Sequence, residues 1–219
     1  MFLGHYAVGL AAKKVAPRAS LGTLIAAALF LDLLWPVLVL TGVELVRVSP
    51  GNTTVTPLDF EHYPYSHSLL MSAVWALLFA AAYYAVTRYR AGAACVGLLV
   101  ISHWVLDLVV HRPDLPLYPG GPKVGFGLWN SVAGTLVVEF GLFAGGAWIY
   151  ARATRPRDAV GRRGFWLYLL ALVAIYGGNL AGPPPPSGMA VAAVALGLWL
   201  FVLWAWWFDR HRVPAPPRI

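Results

Sequence analysis

The chain has 219 residues, 59% of them hydrophobic and only 11% charged, with 16 Lys and Arg against nine Asp and Glu. A soluble domain carries roughly 25% charged residues, so this composition excludes a water-soluble globular protein and places the chain in a bilayer. A net charge of +7 would point to nucleic acid in a soluble protein. Here the basic residues fall between apolar runs, where they set topology and meet anionic headgroups, so membrane lipid and not nucleic acid is the expected partner.

In chain order, the stretch from Met1 to Lys14 offers about eleven apolar residues before Lys13, too few to span a membrane. Its positive charges follow the apolar part, the reverse of a secretory signal, so it is expected to be retained. It predicts a short, half-inserted helix with Lys13 at the cytoplasmic face and its start covered by other helices. Apolar runs then predict six transmembrane helices near 19–42, 67–87, 91–111, 131–151, 164–182 and 188–208. The fold class is therefore an all-α integral membrane protein with one domain over 1–219 and both termini near the cytoplasmic side.

Charge sets the orientation. Lys13, Lys14 and Arg18, then Arg88 and Arg90, then Arg152, Arg155, Arg157, Arg162 and Arg163, and finally Arg210, Arg212 and Arg218 all fall on one side, expected to be cytoplasmic. The opposite connections hold Arg47, Arg112 and Lys123 against Glu44, Asp59, Glu61 and Asp114. Tyr118 and Trp129, and Trp166, Trp204, Trp206 and Trp207 at the other interface, read as aromatic belts or as helix-packing residues. The Pro183–Pro186 run reads as a rigid turn. A single cysteine, Cys95, excludes an intrachain disulfide and a cysteine-based zinc site.

The chemistry lies in ionisable groups inside the apolar runs. His103, Asp107 and His111 stand at i, i+4 and i+8, on one face of the third span. Charged groups in hydrocarbon cost a few kcal/mol each, so these need partners. At 1.5 Å per residue, Asp32 lies about 21 Å and His103 about 20 Å above the cytoplasmic boundary, at one level. His67 and Asp107 join the same layer, while His5 falls about 9 Å short of it if the helices stand upright. Imidazoles and carboxylates without cysteine suit zinc, manganese or iron, and such mixed sets lean towards catalytic sites. His62 in its loop reads as a solvated histidine or a ligand, and His111 at the rim as a ligand, a supporting partner or an interfacial residue. Glu139, Glu61 and Asp59 are candidate general bases, and Glu139 reads equally as a helix-to-helix hydrogen bond. Asn130 and Ser131 read as caps, and Asn179 as a link between helices.

Several short blocks carry a resemblance: His5 with Gly9, Leu31-Asp32-Leu33-Leu34, His62-Tyr-Pro-Tyr-Ser-His67-Ser68, Ser102-His103-Trp-Val-Leu-Asp107-Leu and Leu115-Pro-Leu-Tyr-Pro119. Over about 1–120 the chain resembles the YdjM-type family of bacterial inner-membrane proteins, described as metal-dependent hydrolases. The remainder, 121–219, reads as additional transmembrane helices without those motifs. The resemblance implies metal binding by His5, Asp32, His67, His103 and Asp107, with His62 close by. The His-x-x-x-Asp helix is also similar to that of zinc-dependent phospholipase C enzymes. Two positions depart from the family pattern: Leu34 stands where a second carboxylate is usual, favouring one metal over two, and Tyr63 stands where an Arg is usual.

The leading expectation is a metal-dependent membrane hydrolase acting on a lipid or lipid-linked ester or phosphoester at the outer leaflet. Its divalent metal is expected to be zinc, with manganese or iron as alternatives, and Arg112 and Lys123 are candidates to receive a phosphate. Two other classes stand beside it: a proton- or metal-translocating transporter, and a membrane scaffold with a structural metal site.

Overall fold

The computed structural model describes residues 1–216, in which the apolar runs form helices. Helix α1 (Leu3–Ala12) leads to α2 (Leu21–Ala28) and α3 (Phe30–Leu40). An antiparallel hairpin, β1 (Leu45–Val48) with β2 (Leu58–His62), precedes the single turn α4 (Pro64–His67) and the long helices α5 (Leu69–Thr87) and α6 (Arg90–Val110). A two-residue ladder, β3 (Leu115–Pro116) with β4 (Lys123–Val124), stands before α7 (Val132–Ala153). The chain continues through β5 (Thr154–Pro156), α8 (Ala159–Ala181), α9 (Gly188–Ala195) and α10 (Leu198–Asp209), and β6 (Arg212–Pro214) pairs back onto β5. Side-chain oxygens of Ser20, Ser68, Ser131, Asp158 and Ser187 cap the starts of α2, α5, α7, α8 and α9, each satisfying a backbone N–H that the helix leaves free.

Among the described residues, five runs are long and apolar enough to cross a membrane: α5, α6, α7, α8, and α9 with α10 taken together. A sixth exists only if α2 and α3 count as one, and they meet at 58° around Leu29. The straight span expected near 19–42 is thus two helices. No glycine or proline stands at the break, and Pro36 lies inside α3. The cause is tertiary, since the carbonyl of Ala28 turns to a side chain of α6.

Helices in hydrocarbon gain little by leaving lipid, so close backbone approach and polar bonds hold them together. Gly146 on α7 shows this: a Cβ there would lie 2.3 Å from the carbonyl oxygen of Ala7, so α1 seats directly on the α7 backbone. Apolar side chains fill two cores, one around Leu24, Leu31, Val96, Val100 and Trp104, the other around Leu3, Leu10, Phe143, Tyr168 and Phe208. Helices α1 and α2 run between them.

Lys13 is buried at the basic end of the helices. Its Nζ donates to Asp209 Oδ2 at 2.6 Å and to the Ala19 carbonyl at 2.8 Å. Asp209 also accepts from Leu21 N (2.9 Å) and Tyr150 Oη (2.7 Å), tying α1, α2, α7 and α10 at their basic end. Helix α1 is thereby anchored at its Lys13 end. Its first turn reaches the level of Asp107.

Candidate metal centre

Helix α6 supplies the floor. His103 and Asp107, one turn apart, face the same way and are fully or almost fully buried, with His103 Nε2 3.2 Å from Asp107 Oδ2. His103 Nδ1 lies 2.8 Å from the Ala28 carbonyl. A carbonyl only accepts, so Nδ1 carries the proton and neutral His103 presents a bare Nε2 lone pair. This Nε2 is buried without a hydrogen-bond partner, because the nearby carboxylate does not line up with it. The same break that frees Ala28 puts Asp32 in the first turn of α3, where a carboxylate is favoured by the helix N-terminus.

The short turn α4 presents His67 from the opposite side. Its Nε2 lies 3.4 Å from Asp32 Oδ1 and 3.8 Å from Asp107 Oδ2, while His103 Nε2 is 3.7 Å from Asp32 Oδ1. Two ligand atoms each about 2.1 Å from a tetrahedral cation stand about 3.4 Å apart, near these four imidazole–carboxylate separations. His5, on α1, stacks flat on His103 with ring centres 3.6 Å apart, and its Nε2 lies 3.0 Å from Asp107 Oδ1. The amino group of Met1 donates to the same oxygen. Two triads, His5/His103/Asp107 and Asp32/His67/His103, each bring ligand atoms within 4.8 Å of one another and could hold a metal ion. The orphaned Nε2 of His103, facing the Asp32 and Asp107 carboxylates, fits a divalent cation.

No family model, curated protein or solved structure matches the chain. The site is read from its own geometry.

Sequence counting left His5 short of this layer, and the structure closes that gap: His5, Asp32, His67, His103 and Asp107 share one cluster. Glu139 seats His5 without touching the cluster's open lone pairs. Helix α1 has no capping side chain of its own, and the Glu139 carboxylate on α7 accepts from Phe2 N and Gly4 N, each at 2.9 Å. The helix-to-helix bond read for Glu139 from the sequence is thus present. Asp59 pairs with Arg112, and Glu61 lies 3.0 Å from Arg47. Arg112 also binds Asp114, and Lys123 donates to the Glu61 carbonyl, so neither cation faces the cluster.

His62 is exposed beside Tyr65, outside both triads. His111 ends α6, its Nδ1 2.9 Å from Asp114 Oδ1 and its ring against Trp129, likewise outside the triads. Its N–H still bonds the Asp107 carbonyl in helical register, and Asp114 and Trp129 hold its ring away from the triads. Burial raises the Asp114 carboxyl, but hydrogen bonds from His111, Arg112 and Tyr63 outweigh it and hold Asp114 below its ordinary value. Sequence reasoning missed two residues behind His67: Ser66, hydrogen-bonded to its Nδ1, and the buried Glu44, hydrogen-bonded to Ser66. The serine adjoining a candidate ligand was a visible signal; Glu44, 22 residues away, gave none.

Proposed function

We propose that the chain is a metal-dependent hydrolase of a bacterial cytoplasmic membrane, acting on a lipid or lipid-linked ester or phosphoester. The observation that carries this reading is the approach of two imidazole Nε2 atoms, on His67 and His103, to the Asp32 and Asp107 carboxylates, with His67, His103 and Asp107 buried. A divalent cation held there, zinc being the best suited, would acidify a water and polarise the carbonyl or phosphoryl oxygen of a substrate. The resemblance to the YdjM-type family supports the same assignment.

The chain's own residues divide the remaining work. Asp107 is 2% exposed and His103 fully buried, whereas the Asp32 side chain is 31% exposed, so substrate and water approach past Asp32. His5, stacked on His103 and joined to Asp107, closes the opposite side and keeps that carboxylate oriented. A structural metal site is the second reading, favoured by the way the start of α1 is tied to Asp107 through His5 and Met1.

Elemental analysis of the detergent-purified protein, with His103→Ala and Asp107→Ala beside it, tests the centre. About one zinc, manganese or iron per chain is expected, falling below about a tenth in both variants, together with loss of lipid-ester hydrolysis. Full hydrolysis by folded His103→Ala would overturn the mechanism. Metal bound without any activity towards lipid esters or phosphoesters would favour the structural reading.

A further inference from the structure

Behind His67 lies a buried relay that the proposed chemistry does not use directly. Glu44 follows α3, is 2% exposed, and accepts three hydrogen bonds: Oε1 from Tyr65 N and Ser66 N, each at 2.8 Å, and Oε2 from Ser66 Oγ at 2.6 Å. A serine has one hydroxyl hydrogen, and here it is committed to Glu44. Towards His67 Nδ1, 2.7 Å away, Ser66 Oγ can therefore only accept. The proton of His67 must sit on Nδ1, which leaves Nε2 bare, on the side of Asp32 and Asp107.

We infer that Glu44, acting through Ser66, is a positioning residue that locks His67 in the tautomer able to bind a divalent cation through Nε2. The assignment rests on the metal-centre reading above. It has the form of an outer shell that fixes a ligand histidine, carried here by a carboxylate one residue removed.

The hydrogen-bond directions give Glu44→Gln an unusual consequence. The amide oxygen keeps the two backbone N–H bonds, and the NH2 group replaces Oε2. That NH2 donates to Ser66 Oγ, whose hydrogen must turn to His67 Nδ1, driving the proton to Nε2 and blocking the ligand atom. A nearly isosteric change therefore imposes the wrong tautomer. Ser66→Ala only removes the lock, leaving His67 free to adopt either form.

Cobalt(II) titration of the full chain in detergent, read by its visible absorption, tests this. Glu44→Gln should bind cobalt about 10–100-fold more weakly than wild type, and Ser66→Ala should lose less. Adding Ser66→Ala to Glu44→Gln should recover part of the affinity, a rescue that a purely structural role for Glu44 does not give. Nitrogen-15 NMR of the metal-free proteins should find His67 protonated on Nδ1 in wild type and on Nε2 in Glu44→Gln. Equal cobalt affinity in folded Glu44→Gln, or one tautomer in both proteins, overturns the assignment. A wild type that takes up no cobalt overturns the metal reading instead, and the NMR comparison still decides the role of Glu44.

Discussion

Helix α1 ends in two buried polar clusters, one at each terminus, and they differ in one respect. At the Lys13 end, Asp209 meets a lysine, a backbone N–H and a tyrosine hydroxyl, and Lys13 meets a carboxylate and a carbonyl. At the His5 end, His5 Nδ1 and His103 Nε2 have no hydrogen-bond partner. Leaving buried polar atoms unpaired is costly in hydrocarbon, so the first cluster explains itself as structure and the second asks for something more.

The sharpest way to break that contrast is to exchange the expected phenotypes. Asp209→Ala leaves Lys13 buried without its counter-charge and should destabilise the protein by about 3–5 kcal/mol, read by thermal unfolding in detergent, while the fraction still folded keeps its metal. Asp107→Ala should do the reverse, losing metal at a smaller cost in melting temperature; metal loss in folded Asp209→Ala with retention in Asp107→Ala would invert the two roles. Chelation comes next. Withdrawing a cation present at a hundredfold excess over its Kd should remove about 2.7 kcal/mol of stability from wild type and nothing from Asp107→Ala.

A milder test couples the two ends through α1. Gly146→Ala places a methyl against the Ala7 carbonyl, at an overpacking cost of about 1–3 kcal/mol, and should weaken metal binding by displacing His5. Unchanged metal affinity in this variant would show that the seat of α1 does not govern the centre. The smallest expected effect is on acid stability. Asp114 titrates below its ordinary value in the folded chain, so its contribution is complete above the unfolded value of 3.8 and is lost as pH falls through the folded one. Asp114→Asn should flatten that part of the acid-unfolding curve and leave neutral-pH metal binding unchanged.

What the sequence made legible follows from which constraints are local. The His103–Asp107 pair is a property of one helix, and helical spacing alone puts it on one face. The levels of Asp32 and His103 came from counting along helices that begin at charged boundaries. Counting gave no contact for His5, whose place depends on the seating of α1 against α7, a contact made far along the chain. It also missed the break at Leu29, which no local residue encodes. Glu44 read as one more acidic loop residue, since its partners Tyr65 and Ser66 reach it only after the β1–β2 hairpin has folded the chain back. Glu139 was visible as a buried carboxylate, but its partners are backbone N–H groups, which every sequence supplies.

The two candidate ligand histidines, His67 and His103, are oriented by partners of different kinds, and this gives them different exposure to mutation. His103 takes its direction from the Ala28 carbonyl, a group present whatever side chain stands there. His67 depends on two side chains, Ser66 and Glu44, either of which a single codon change can alter. One half of the centre is thus buffered against genetic drift, while the other can be retuned without touching a ligand. Variation in metal preference would be expected to accumulate at positions 44 and 66 before it reached 28.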